Sequence, residues 1–326
     1  MIKIANAVLA IGGGVLGAML LFWVLNKLVE MLPAKWENRI KPYVFIGPAL
    51  FAITVFLLYP AFQTVVASFA NDDTTSWVGF KNYASLLASR DFQTTLVNTL
   101  MWVLIVPVIV VGLGLLIATL ADRLTPGGEK ISKTLIFMPM AISMVGASAI
   151  WGFIYAVRPA GESQIGVLNA VATAMGSDPV NWLQMSNFKI NTMLLMVVFI
   201  WTQVGYAMVL LSAAIKGVPE DTIEAGRIDG ASELQIFGRI IVPQVWPTLI
   251  VVFITVLIGT MKTADIVYVM TNGNFSTNII GAAFFVEMFK NMDNGRASAI
   301  VVMLMIAIIP VMIYQVKQFR AQEANR

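Results

Sequence analysis

The chain has 326 residues, 58% of them hydrophobic and 12% charged, with a mean hydropathy of +0.81, which leaves too little polar surface to clothe a soluble globule of this length. It has no cysteine and no histidine, which removes disulfides, thiolate metal sites and the commonest catalytic base and metal ligand. The net charge of +3 lies in loops without a basic run or a basic-aromatic surface, so nucleic acid is excluded as a partner.

A helical membrane span needs about 20 apolar residues. Seven stretches reach that standard: residues 7–25, 43–70, 96–121, 135–157, 192–214, 246–270 and 297–316. The first lacks a convincing small-residue cleavage site and runs into a polar segment at 27–41, so it is expected to be a retained span rather than a signal peptide. Lysine and arginine orient the chain. The connections after spans one, three and five, with the C-terminal tail to Arg326, hold thirteen, and the opposite connections hold seven; Lys262 falls within span six. The C-terminus is therefore expected in the cytoplasm, and an odd number of spans puts the N-terminus outside. Of the outer connections, residues 71–92 are short. The stretch 158–189 is long enough for structure, with Ile165, Val167, Leu168, Val171, Ala172 and Met175 forming the apolar face of a short surface helix, either a lid or a docking surface for a partner protein.

Between spans five and six, residues 216–247 gather charge, glycine and helix punctuation into one polar connection. Pro219 suits a first helical turn, and Glu220, Asp221 and Glu224 place negative charge at its positive end, predicting a short helix to about Asp229. Gly230 ends it in the left-handed conformation, and Ser232 with Gln235 forms a capping box that opens a second helix through Leu234, Phe237, Ile240 and Ile241. Pro243 and Pro247 are expected to turn the chain back toward the bilayer. The product is a rigid cytoplasmic knob.

Glu224, Ala225 and Gly226, then Asp229, Gly230 and Ala231, then Phe237, Ile240 and Pro243 follow the pattern EAAxxDGAxxxxxFxxIxLP. The stretch resembles the EAA loop of permease subunits of bacterial ABC importers, with Gly226 standing where that family usually has alanine. The alternative is an ordinary amphipathic hairpin. Asn98 and Thr99, the run 137–155, Gly166 to Asn169 (GVLN), Asn181 to Leu183 (NWL) and the run 265–277 look like landmarks of carbohydrate-importer permeases, the first permease of alpha-glucoside importers in particular. The resemblance implies an all-α polytopic membrane protein of about seven transmembrane helices with a six-helix ABC importer type I (MetI-like) permease core. It also implies a second permease subunit, two ATPase subunits, a periplasmic or extracellular solute-binding protein and a sugar substrate, in the inner (cytoplasmic) membrane. On that pattern residues 1–42 are an N-terminal span and linker, 43–93 a second span with its outer loop, 94–316 the core with its coupling loop at 216–247, and 317–326 a cytoplasmic tail.

No GxxxxGK[ST] occurs, and no serine–histidine, cysteine–histidine or metal-ligand set, so the chain is not an enzyme by itself and no cofactor is expected. A permease without a nucleotide site uses an ion gradient or borrows an ATPase. The scarcity of buried acids, with only Asp265 and Glu287 near membrane depth, weighs against an ion-coupled secondary transporter. A polar solute needs hydrogen-bonding groups near mid-depth. Thr202, Gln203 and Tyr206 lie together in span five, and Thr260 and Thr263 share a face of span six, while Lys262 and Asp265 point elsewhere and read as an ion pair. By resemblance to the maltose-type permeases, Gln203, Tyr206, Thr260 and Thr263 fall at positions lining the sugar site. The competing reading is that the threonines bond their own helix and Tyr206 packs between helices.

Overall fold

A computed structural model describes residues 2–324, so Arg326 of the expected tail lies outside the described residues. The helices are α1 (Ile2–Glu30), α2 (Ala34–Ile53), α3 (Tyr59–Ala67), α4 (Lys81–Ala88), α5 (Arg90–Ala121), α6 (Pro126–Phe137), α7 (Met144–Ile154), α8 (Val167–Ala174), α9 (Ile190–Lys216), α10 (Glu220–Ile228), α11 (Glu233–Ile236), α12 (Val242–Lys262), α13 (Asp265–Met270), α14 (Ile280–Phe285) and α15 (Asn294–Ala324). Among the described residues the one β-feature is an isolated bridge between Ala70 and Trp77. The chain divides into two compact units after Val66.

In the first unit, Pro33 turns the chain between α1 and α2, where it precedes the first turn of α2 and its missing N–H costs nothing. Phe22 stacks on Phe45 at 5.9 Å, and Lys41 pairs with Glu37 one turn away at 3.3 Å. The π-turn Thr54–Leu58 stands just ahead of Pro60, widening the helix where a proline ring would crowd the preceding carbonyl. Leu9, Leu16, Phe51 and Phe56 are exposed, as expected of spans that face lipid.

The second unit is built around α9, which packs along α5 and against α6 and α12. Trp102, Val106 and Val110 of α5, Leu195, Val198 and Met208 of α9, Val252 of α12 and Ile266 of α13 are buried in one core. A smaller cluster of Leu86, Phe92, Ile280, Ala283 and Ile300 joins α4, the start of α5, α14 and α15.

Among the described residues six helical stretches are long and apolar enough to cross a membrane, and a bent pair of helices brings the number to seven if the pair forms one span. That pair corrects the expected straight span 135–157: α6 extends through a 3₁₀ turn to Ala141, and α7 departs at 104°. Pro139 and the extended Ile142 end the first arm, and the Ser143 hydroxyl accepts from the Gly146 N–H at 3.1 Å to start the second. The expected span 246–270 is corrected as well. It stops at Lys262 because Thr263 is extended (φ −67°, ψ 138°), and α13 begins afresh. Gly281 of α14 holds that break: a Cβ there would lie 2.3 Å from the Thr263 carbonyl oxygen, so only glycine permits the approach. Neither α4, inside the connection 71–92, nor α14 was expected from the sequence.

The connections expected on the outer side are fastened by asparagines, Asn98 and Asn169 of the landmark motifs among them. Asn98 donates to the carbonyls of Ser276 and Asn278, each at 2.8 Å, and Asn191 donates to Phe275 at 2.8 Å, which ties the loop after α13 to α5 and α9. The fully buried Asn169 donates to Ala156 and Val180 and accepts from the Val180 N–H and the Trp182 indole. The GVLN and NWL motifs therefore meet at one side chain, and the apolar face expected at 165–175 lies on α8, where Val167, Val171 and Met175 stay exposed.

Candidate functional site

Helix α10 has Pro219 as its N-cap, one position earlier than expected, with Glu220 and Asp221 in its first turn. It ends at Gly230, whose φ of +78° belongs to the left-handed region. The Ala231 N–H bonds the Gly226 carbonyl and the Gly230 N–H bonds that of Arg227, both at 3.0 Å, which is the Schellman arrangement. The capping box is complete: Gln235 N–H donates to the Ser232 hydroxyl at 3.4 Å, and Ser232 N–H donates to the Gln235 amide oxygen at 2.8 Å.

The expected turn at Pro243 and Pro247 is not formed. From Glu233 the helix runs through the π-turn Phe237–Ile241 into α12 as far as Lys262. The wide turn directly before Pro243 makes room for its ring, so the second arm of the hairpin and a membrane helix are one rod.

Gly226 is the contact between the two arms. It is buried, and a Cβ there would lie 2.6 Å from Cδ1 of Ile240 and 3.5 Å from Cγ1 of Ile236. Glycine in place of the family's usual alanine thus brings α10 closer to the rod, and Phe237 packs half-buried beside it. Glu224, Ala225, Asp229 and Pro243 are exposed, and Ala231 is half-buried. Behind the hairpin lies a cavity of about 610 Å³ lined by Arg123, Lys216, Glu220, Arg227, Glu233 and Phe237, among others.

Most of its charges are paired. Arg227 bonds Glu233 at 3.0 Å, and this hydrogen bond pushes the guanidinium pKa further up. Glu233 also reaches Arg123, beyond the end of α5, at 4.0 Å, and Lys216 reaches Asp122 at 3.4 Å. Glu129 of α6 is bridged by Lys133 and Lys216, and Lys133 also donates to the buried Ser212 hydroxyl. The sequence used these lysines and arginines only for orientation. Glu129 and Lys133 stand one turn apart on α6, but Lys133 with Ser212, Lys216 with Asp122, and Arg123 with Glu233 are brought together from separate elements, which no local spacing reveals.

The five candidate solute-path residues fall into two groups. The Thr202 hydroxyl donates to the Phe199 carbonyl at 2.8 Å and lies 3.7 Å from the Met144 sulfur; that of Thr260 donates to the Val256 carbonyl at 2.8 Å. Both are fully buried with their donors spent on their own helix, and Thr263 is buried at the break after α12. Gln203 and Tyr206 are half-buried, and among the described residues neither the Gln203 amide nor the Tyr206 hydroxyl has a hydrogen-bond partner. Gln203 is the central residue of the 27-residue α9, and Tyr206 follows one turn later. Beside them Trp201 meets Trp151 edge-to-face at 5.8 Å, an aromatic pair on α9 and α7 that the sequence did not single out.

The expected ion pair of Lys262 and Asp265 is absent among the described residues, and both side chains are exposed. The extended Thr263 between them removes the helical phase that would have brought residues three apart together.

Residues 84–320 match the family described as binding-protein-dependent transport system inner membrane component. Two curated relatives are similar over most of their length. The alpha-glucoside transport system permease protein AglF of Rhizobium meliloti (strain 1021) is 42% identical over 97% of each chain. The osmoprotective compounds uptake permease protein GgtC of Synechocystis sp. (strain ATCC 27184 / PCC 6803 / Kazusa) is 45% identical over 87% of this chain and 100% of its own. A chain of a bacterial ABC transporter involved in the import of the acidic polysaccharide alginate shares the fold, with a TM-score of 0.74 at 20% identity over 87% of this chain and 98% of that one. The chain belongs to the binding-protein-dependent inner membrane components, as a multi-pass permease subunit of an ABC importer that works with a solute-binding protein and leaves ATP hydrolysis to separate ATPase subunits.

Proposed function

We propose that this permease carries a sugar, an alpha-glucoside or a related oligosaccharide, past Gln203 and Tyr206 of α9. What supports the reading is the unspent amide and hydroxyl at the centre of the membrane helix, together with the solute named for the relative that matches along almost the whole chain. A buried hydrogen bond to a neutral solute is worth about 0.5–1.5 kcal/mol, enough for preference among glycosides but not for tight retention. Uptake by the full complex of several labelled glucosides, normalised to permease in the membrane, tests it. Tyr206→Ala and Gln203→Ala are expected to lower uptake or shift the preferred glucoside. A second reading follows from the other relative: the solute is an osmoprotective compound, and uptake of such compounds with no glucoside transport would establish it.

In the working complex this subunit pairs with a second, different permease and two ATPases. The residues at the ATPase contact are Glu224, Ala225, Gly226, Asp229, Gly230, Ala231, Phe237 and Pro243, within a core spanning 94–316. ATPase closure moves the hairpin, and the continuous rod from Glu233 to Lys262 carries that movement into the bundle, alternating access to the two sides. The hairpin and the C-terminus are cytoplasmic. A cysteine at Thr222 is then labelled only from the cytoplasmic side and one at Ser177 only from outside; the reverse pattern refutes the orientation.

A further inference from the structure

An apolar groove of about 670 Å³ lies between α12 and α15, with Trp246, Ile250, Phe253 and Leu257 along one wall, Pro310 and Tyr314 on the other, and Val111 of α5 at its side. Trp246 is 56% and Tyr314 49% exposed there, too much apolar surface to be left to water. Along α12 the groove runs from residue 246 to 257, about 16 Å at 1.5 Å per residue, which is about half the 30 Å hydrocarbon thickness. Its depth is that of one leaflet. A crossing helix from another subunit would need a groove of twice that length.

Chemistry is graded along it. The two amphipathic aromatic side chains, Trp246 near the start of α12 and Tyr314 near the end of α15, are the residue types that sit at headgroup level. Just beyond them come cations: Arg239 seven residues before Trp246, and Lys317 and Arg320 three and six residues after Tyr314, all exposed and none in an ion pair among the described residues. Lys317 extends the α15 row of Pro310 and Tyr314 at helical spacing. An apolar slot one leaflet deep, an aromatic rim and unpaired positive charge outside that rim match an acyl chain, a glycerol region and a phosphate in order.

We infer that the α12–α15 groove is a binding site for an anionic phospholipid of the cytoplasmic leaflet, with its acyl chain against Phe253 and Leu257 and its headgroup phosphate met by Arg239, Lys317 and Arg320. The inference rests on the cytoplasmic placement of the hairpin, which the Thr222 labelling tests separately. A lipid seated there touches the rod that joins the coupling hairpin to the membrane, so its occupancy bears on α12 directly.

The test uses the co-purified complex in mild detergent, titrated with phosphatidylglycerol or phosphatidylcholine carrying brominated acyl chains. The Trp246 signal is isolated as the difference between the unaltered complex and one bearing Trp246→Phe. The site predicts quenching by brominated phosphatidylglycerol at several-fold lower mole fraction than by brominated phosphatidylcholine, and loss of that preference in the triple variant Arg239→Gln, Lys317→Gln, Arg320→Gln. Equal quenching by both lipids means unspecific lipid contact, and no quenching by either means that a protein segment covers the groove; each overturns the inference. The headgroup comparison on the unaltered complex suffices if the triple variant is not produced.

Discussion

The hairpin proposed for coupling and the proposed solute path at the middle of α9 are both polar regions of a predominantly apolar chain, yet they are built on opposite terms. In the hairpin the turn and caps are local: the Schellman turn at Gly230 and the Ser232 box close bonds between residues at most five apart. At mid-depth the polar groups are shared out by neighbouring helices. Thr202 and Thr260 look in sequence as available as Gln203, but their hydroxyls are short enough to bond the preceding turn of their own helix, whereas the longer Gln203 and Tyr206 side chains reach beyond it. Local hydrogen-bond geometry makes a shape; only reach and packing leave a binding group free.

The largest effects are expected where the hairpin's local rules are broken. Gly230→Pro cannot hold the φ of +78°, and Glu224→Lys reverses an exposed charge on the face proposed to meet the ATPase. Either change is expected to cost at least about 1.4 kcal/mol of coupling, and so to lower uptake about tenfold or more with normal permease level. Uptake and solute-stimulated ATPase activity in reconstituted vesicles measure it, and normal values for both would remove the hairpin from coupling.

Next is the contact between the arms. Gly226→Val forces a branched side chain against Ile240 and is expected to destabilise by about 1–3 kcal/mol, seen as less permease in the membrane or partial uncoupling. Gly226→Ala is milder, since only the flexible end of Ile240 has to move and the helix gains about 1 kcal/mol of propensity. A loss as great in the alanine variant as in the valine one would mean that the spacing of the arms is itself required.

At mid-depth, Tyr206→Ala and Gln203→Ala are expected to lower glucoside uptake by roughly two- to tenfold, from about 0.5–1.5 kcal/mol per contact. Thr202→Val and Thr260→Val remove hydroxyls already bonded to their own helix and are expected to leave solute preference unchanged, although the permease level falls slightly. A changed preference in the threonine variants with none in the Tyr206 and Gln203 variants would move the path to the buried face. Smallest of all is Lys262→Met. With no partner in an ion pair and an exposed side chain, it is expected to stay within about 0.5 kcal/mol by permease level and uptake.

Composition and periodicity determined that the chain crosses a membrane many times, because a helix that satisfies its backbone internally and shows apolar side chains to lipid is written residue by residue. The hairpin was legible for the same reason: proline, glycine, serine and glutamine at fixed offsets act within one or two turns. The 104° bend between α6 and α7 and the stop at Lys262 were not legible. The apolar pattern continues through both, and what ends the helix at Thr263 is a carbonyl seated against Gly281, a residue eighteen positions away. The same stop erased the expected Lys262–Asp265 pair, since a break of two residues discards the 100° phase on which an i, i+3 argument depends. Likewise the continuity of the hairpin with α12 was hidden, because Pro243 reads as a breaker unless a π-turn precedes it. Sequence alone thus determined the solvent and the caps of the hairpin, both set by interactions between near neighbours. Tertiary structure alone decided where the rods end, because that depends on what another helix presses against them.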